Sequence, residues 1–169
     1  MRLIYIFFLS LLVLMASHSS VSAETANATL MDKQGNMVGH VKLTEIPHGV
    51  LIKAELYNMP PGVHAFHIHS TGKCEPPFKS AGGHFNPRGK AHGILKKKGP
   101  HAGDLPNIYV GDDGKLTFEV IADKVTLGKG KNSLHDDDGS AIVIHAGADD
   151  YSSNPAGNAG PRIACGVIK

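Results

Sequence analysis

Apolar and polar residues alternate with a period of two along several stretches of the chain. Val50, Ile52, Ala54 and Leu56 alternate with Leu51, Lys53, Glu55 and Tyr57, and Leu116, Phe118 and Val120 alternate with Lys115, Thr117 and Glu119. Successive side chains of an extended strand point to opposite faces, so both stretches predict half-buried antiparallel strands. Further strands are predicted around residues 27–31, 38–45, 63–69, 141–146 and 162–168. Turn chemistry separates them, at Lys33–Gln34–Gly35–Asn36, Pro47–His48–Gly49, Met59–Pro60–Pro61–Gly62, Asp112–Asp113–Gly114 and Asp136 to Gly139. About eight short strands, with no apolar stripe of helical period, predict an all-β fold: an eight-stranded antiparallel Greek-key sandwich or flattened barrel.

Two segments break this rhythm. Residues 70–107 are rich in Gly, Pro, Lys and His without a strand pattern, and residues 149–161 form a shorter Gly/Asn/Pro stretch. Loops beyond ~12–15 residues are uncommon unless functional or disordered. The longer one contains residues able to hold it in place: Cys74, His84, His92, His101 and Asp104.

The N-terminus has a different character. Met1–Arg2, the apolar run Leu3 to Ala16 and the small-residue exit Val21–Ser22–Ala23 have the form of a secretory signal peptide. Residues 1–23 are therefore set apart, and one domain is expected over residues 24–169. The apolar run is shorter than the ~20 residues of a bilayer-spanning helix, and no later stretch matches it, so no membrane anchor or membrane partner is expected after cleavage. Export to the periplasm is expected, with the extracellular space as the alternative. Removing the leader leaves 16 basic residues against 15 acidic ones, a balance that makes no case for nucleic acid as a partner. The only two cysteines, Cys74 and Cys165, lie far apart in a chain bound for an oxidising compartment, where a disulfide is the natural reading.

Ten of the eleven histidines lie beyond the leader, a density that points to metal. In His64–Ala65–Phe66–His67–Ile68–His69, the two apolar residues Phe66 and Ile68 share one face and His67 and His69 the other; His145 likewise points away from Ile142 and Ile144. These histidines are expected on the outer surface of the sandwich, where the long loop can fold over them. In that loop His84, His92, His101 and Asp104 offer three nitrogens and one oxygen, a set suited to tetrahedral zinc. The strand set His67, His69 and His145 is purely imidazole and accommodates copper. Spacing permits two nitrogen-rich sites and does not choose the metals.

The segments Phe66–His67–Ile68–His69, Gly82–Gly83–His84–Phe85–Asn86–Pro87, Gly103–Asp104–Leu105, Val143 to Asp150 and Gly157 to Ile168 closely resemble the Cu/Zn superoxide dismutase family, over essentially the whole chain beyond the leader and in the family's order. The resemblance implies one copper ion on His67, His69, His84 and His145, and one zinc ion on His84, His92, His101 and Asp104, with His84 bridging the two. It implies that Asp149 joins a copper-ligand and a zinc-ligand histidine, that Arg162 attracts superoxide, the substrate, and that Cys74–Cys165 ties the loop to the last strand. The implied reaction converts superoxide to dioxygen and hydrogen peroxide by alternate reduction and oxidation of copper, with His84 and Arg162 as the catalytic residues. A homodimer is a further expectation, on contacts that the short Glu75 to Gly83 segment would alter.

The segment Ser152 to Ala159 has no charged residue, so steering of substrate is expected from Arg162, with Lys79 or the Lys96–Lys97–Lys98 run beside it. That run reads first as a solvated loop tip. His64 is left out of the metal set because its counterpart in the family is structural. His40, His48 and His135 read as surface or turn residues, and Asp136 to Asp138 as a plain turn. A metal buffer and a metal-stabilised structural sandwich are rival functions, and retention of seven ligands together with Asp149 and Arg162 argues against both.

Overall fold

The computed structural model describes residues 23–169, so the leader expected over residues 1–23 lies, Ala23 apart, outside the described part. Nine strands form there: β1 (Thr25–Asp32), β2 (Met37–Ile46), β3 (Gly49–Leu56), β4 (Gly62–His64), β5 (Phe66–His69), β6 (Ile108–Val110), β7 (Leu116–Ala122), β8 (Ala141–His145) and β9 (Arg162–Val167). Seven make one antiparallel sheet in the order β5-β8-β9-β1-β2-β3-β7, and β4 pairs with β6 in a small second sheet. Among the described residues the only helical element is a single 3-10 turn, Lys79–Ala81.

The all-β architecture follows the predicted alternation closely. In β1 the even positions Ala26, Ala28 and Leu30 are buried while their neighbours face water, and β3 buries Val50, Ile52, Ala54 and Leu56. One apolar core gathers these with Phe66, Ile68, Ile142, Ile144, Ile108 and Val110. The rings of Phe66 and Phe118 meet edge to face, with centroids 5.1 Å apart. Phe66 lies in β5 and Phe118 in β7, the two ends of the seven-stranded sheet. That contact shows the sheet curling until its edges share one interior.

The nine strands exceed the seven placed along the sequence, and the eight expected of the fold, for two reasons. The single strand expected over residues 63–69 changes partners at Ala65: β4 pairs with β6, whereas β5 pairs with β8. At the switch, the Ala65 N–H donates to the Gly147 carbonyl and the Ala65 carbonyl accepts from His145 N–H. Strand β6 is only three residues long and presents too short an alternation to be detected in the sequence.

A second, smaller apolar cluster lies on the other side of the sheet. Phe78 and Ala81 of the long loop pack on Ala141, Val143 and Cys165, beside the partly buried Cys74. The Cys74–Cys165 disulfide closes 91 residues of chain at the same place. Loop and sheet are thus joined by burial and by a covalent bond, which in the chain-entropy account contributes roughly 4 kcal/mol for a loop of this length.

Phe66 is fully buried and closes the barrel. Phe66→Ala is expected to cost about 3–5 kcal/mol of unfolding free energy and Phe66→Leu far less. Urea denaturation followed by far-ultraviolet circular dichroism measures both, and equal costs for the two variants would contradict this account of closure.

Candidate metal centre

The outward positions of β5 and β8 carry His67, His69 and His145. The free edge of β5 is covered by the long loop, which approaches it as if adding strands. Phe85 N–H donates to the Ile68 carbonyl at 2.8 Å, Ile68 N–H to the Gly103 carbonyl at 3.0 Å, and Gly103 N–H to the Phe85 carbonyl at 2.9 Å. This pairing sets His84 beside His69 and Asp104 beside His67. Gly103 is required for so close an approach, because a Cβ there would overlap the Ile68 carbonyl oxygen.

Two groups of side chains result. His67, His69, His84 and His145 form one, and His84, His92, His101 and Asp104 the other; within each, the ligand atoms lie within 4.8 Å of one another, and every member is buried. All seven residues singled out as metal ligands in the sequence are brought together, with His84 common to both groups. The ring centroid of His84 is 4.0 Å from that of His67 and 5.0 Å from that of His69 on one side, and 5.2 Å from His92 and 5.4 Å from His101 on the other.

Four of the six rings are oriented by a hydrogen bond from the nitrogen that faces away from the groups. His67 Nε2–H donates to Asp149 Oδ2 at 2.8 Å, His92 Nε2–H to Asp149 Oδ1 at 2.9 Å, His69 Nδ1–H to the Gly82 carbonyl at 3.0 Å and His145 Nδ1–H to the Gly160 carbonyl at 3.1 Å. The nitrogens left over, His67 Nδ1, His69 Nε2, His84 Nε2, His92 Nδ1 and His145 Nε2, are buried without a hydrogen-bond partner. Such orphaned groups each cost on the order of 1–3 kcal/mol. Their convergence is what a cation would relieve, so the donor set fits bound metal. The second group also fits zinc in its spacing: tetrahedral bonds of about 2.0 Å place donors about 3.3 Å apart. His84 Nδ1 and His101 Nδ1 lie 2.7 and 3.1 Å from Asp104 Oδ1, His92 Nδ1 lies 3.2 Å from Asp104 Oδ2, and the His84 and His101 Nδ1 atoms are 3.5 Å apart.

Arg162 stands opposite His145 across β8 and β9. Its guanidinium donates to the carbonyls of Phe78 and Gly82, the latter at 2.6 Å. The Gly82 carbonyl therefore holds both His69 and Arg162. The mouth beside it is an open cleft formed by Lys33, Pro77, Lys79, Gly160, Pro161 and Arg162.

Several residues position the site in ways that no pattern in the sequence assigns to them. Asn107 is bonded to Asp149 in both directions, its side-chain amide donating to the Asp149 carbonyl at 2.9 Å and its Oδ1 accepting from Asp149 N–H at 2.8 Å. The Tyr151 hydroxyl accepts from Asn107 N–H at 2.7 Å. Gly157, at φ +64°, lies against the Asp149 carboxylate so closely that a Cβ would overlap Oδ1. These contacts join segments that no local pattern connects. His64, by contrast, has both ring nitrogens against backbone carbonyls, those of His145 and Pro60, and stays outside both groups.

Burial pushes the His84 and His145 imidazoles down to about 4 and that of His69 to about 2. Burial opposes ionisation of the carboxyls as well, yet hydrogen bonds from His67 and His92 leave Asp149 at about 2, and those from His101 and His84 hold Asp104 far below the usual carboxylate range. His69, His84 and His145 are therefore neutral imidazoles at neutral pH, and Asp104 and Asp149 ionised carboxylates, the protonation states that metal ligands require.

A family model described as copper/zinc superoxide dismutase matches residues 37–168. The chain belongs to this family. It is 54% identical to "Superoxide dismutase [Cu-Zn] 2" of Aquifex aeolicus over 95% of this chain and 94% of that one, and 46% identical to the Cu-Zn superoxide dismutase of Caulobacter vibrioides over 86% of each. Among solved structures, a SOD-like protein from Bacillus subtilis superposes with a TM-score of 0.82 at 42% identity, covering 85% of this chain and 97% of that one. The Cu/Zn superoxide dismutase from Brucella abortus superposes at 0.71 with 29% identity, covering 86% and 100%. Bacterial relatives and the disulfide together indicate an exported protein.

Acid should destabilise the metal-stripped protein in a defined window. The unfolded imidazoles take up protons near their ordinary value of about 6.5, whereas the folded ones resist to about 4 or below, so the unfolded state binds more protons between these values. Stability is then complete above about 6.5 and falls as pH drops toward 4; the two depressed carboxyls add a loss of the same sign below their ordinary value of about 4. Urea midpoints of EDTA-treated protein across this range check the slope, and a midpoint constant from neutrality to about pH 5 would falsify it.

Proposed function

We propose that this chain disproportionates superoxide to dioxygen and hydrogen peroxide, with copper on His67, His69, His84 and His145 and zinc on His84, His92, His101 and Asp104. Its cofactors are copper and zinc, the metals of its family. The observation that carries the reading is the His84 ring, which stands between the two groups with one nitrogen toward Asp104 and the other without a partner on the side of the strand histidines. When bound, copper supplies one-electron redox chemistry and zinc supplies a fixed charge that shapes the site.

The protein's own residues do the rest. Asp149 grips one ring from each group through its two oxygens, so the geometries of the groups are coupled through a single carboxylate. The backbone carbonyls of Gly82 and Gly160 fix the tautomers of His69 and His145, leaving Nε2 of each ring free for metal. His84 Nε2, which has no hydrogen-bond partner among the described residues, would hold copper and, when not ligating, is an atom able to carry a proton. Arg162, a permanent cation held by two carbonyls beside His145, binds and orients a small anion. Lys33 and Lys79 at the same mouth add positive field that favours anion encounter.

A metal buffer would need neither an arginine locked in place by two carbonyls nor an imidazole shared between sites, so turnover is the better-supported reading. We further assign the mature protein to the periplasm, with residues 1–23 as the leader. The outward pair Val63 and Tyr109, opposite one another across β4 and β6, offers an apolar face for a homodimer.

Elemental analysis of protein purified without chelator is expected to give one copper and one zinc per chain; zinc alone would retire the redox reading. Arg162→Ala is expected to keep both metals and lower kcat/KM by about tenfold or more in pulse radiolysis, and Lys79→Ser to lower it less and only at low ionic strength. Asp149→Asn should weaken metal retention by roughly 10–100-fold in chelator competition. Gel filtration at twice the chain mass is expected for the dimer, and elution as a monomer removes it.

A further inference from the structure

Positive charge is distributed very unevenly in this chain. Between Glu75 and Asp104 there is no acidic residue, yet the segment contains Lys79, Arg88, Lys90, Lys96, Lys97 and Lys98. These are six of the sixteen cations beyond the leader, leaving ten cations against fifteen acids elsewhere. Among the described residues the lysine ion pairs are Lys53–Glu119, Lys73–Glu75 and Lys124–Asp123, so none of the six is neutralised by a carboxylate.

At the tip of this segment the chain exposes apolar surface as well. Ile94 is 43% and Leu95 72% exposed, immediately before the three exposed lysines. The tip is well ordered by its backbone. Ala91 N–H donates to the Lys98 carbonyl at 3.1 Å, Gly99 N–H to Lys96 at 3.0 Å, and Leu95 N–H to Tyr151 at 3.2 Å, while His92 N–H donates to Asn154 Oδ1 at 2.8 Å. The main chain is thus tied down while the side chains of Ile94 and Leu95 are presented to solvent.

The geometry points to a peripheral docking site for an anionic lipid bilayer, with Ile94 and Leu95 entering the headgroup boundary and Lys96, Lys97 and Lys98 meeting the phosphates. Charge complementarity selects a polyanionic surface, and the apolar pair selects a bilayer over a polyanion that has no apolar interior to offer. The arrangement is that of interfacial membrane anchors: basic side chains flanking a small apolar insertion, weak and sensitive to salt. This departs from the expectation that no membrane partner remains after cleavage, which rests on the lack of a second apolar run of spanning length and takes no account of surface contact. The site lies on the loop that holds His92 and His101, so a docked protein would keep its metal centre close to the membrane surface.

Co-sedimentation of the metal-loaded chain from Glu24 onward, which contains the whole barrel, with vesicles tests this. At low salt the protein is expected to pellet with vesicles of mixed phosphatidylglycerol and phosphatidylcholine and to stay in solution with phosphatidylcholine alone. Replacing the three lysines by serine should lower partitioning on the order of a hundredfold, about fivefold per charge. Ile94→Ser with Leu95→Ser should lower it by about tenfold or more, with superoxide turnover unchanged in this variant, which alters no charge. Failure to pellet with the anionic vesicles overturns the proposal. So does undiminished binding by the Ile94/Leu95 variant, or tighter binding of the wild type to heparin than to the vesicles, either of which makes the partner a polyanion without an apolar phase.

Discussion

Five buried ring nitrogens without hydrogen-bond partners, gathered on the outer face of one sheet edge, are the constraint on which the rest of this structure depends. None of the described residues satisfies them, and each would be penalised in a dry interior. The fold accepts that penalty because its other interactions hold the histidines there regardless: the alternation of β5 and β8, the pairing of the loop onto β5, and the second apolar cluster with its disulfide. The ligand arrangement is thus supported by the polypeptide's own contacts, and the unsatisfied nitrogens make metal binding favourable.

The division of labour between the two faces of the sheet explains why such a site is tolerated. The inward face contributes a conventional apolar core closed by Phe66 against Phe118. The outward face would normally be wetted; here Phe78, Ala81 and the loop cover it, and the same cover removes water from the imidazoles and depresses their proton affinity. Stability and ligand readiness therefore come from one act of burial. Asp149 then couples the two groups, so that a disturbance of one metal position reaches the other through a single carboxylate.

The long loop serves three purposes at once. Its glycines allow the close approach to β5, its histidines and Asp104 complete the site, and its carbonyls at Phe78 and Gly82 hold Arg162. Its surplus of positive charge, without an internal acid, is not needed for any of these. That surplus lies at the mouth, where Lys79 stands, and at the tip, where Lys96, Lys97 and Lys98 stand. The two positions suit different anions: a small diffusing one at the mouth and an extended surface at the tip.

Much of this was legible in the sequence because strand periodicity is a local property. The alternation around Phe66 to His69 and Ala141 to His145 determines which side chains share a face, whatever the strands pair with. The ligand types and the resemblance to a known family followed from residues that keep their identity along the chain. What the sequence left open depends on contacts between segments far apart: the change of partners at Ala65, the three-residue β6, the two-way bonding of Asn107 with Asp149, and the close packing of Gly157 on that carboxylate. No local pattern encodes them, because each is a choice among backbone donors and acceptors made only when the chain has closed. The alternation determined which histidines face outward; only the tertiary structure decided that a loop would cover them and leave their nitrogens unsatisfied.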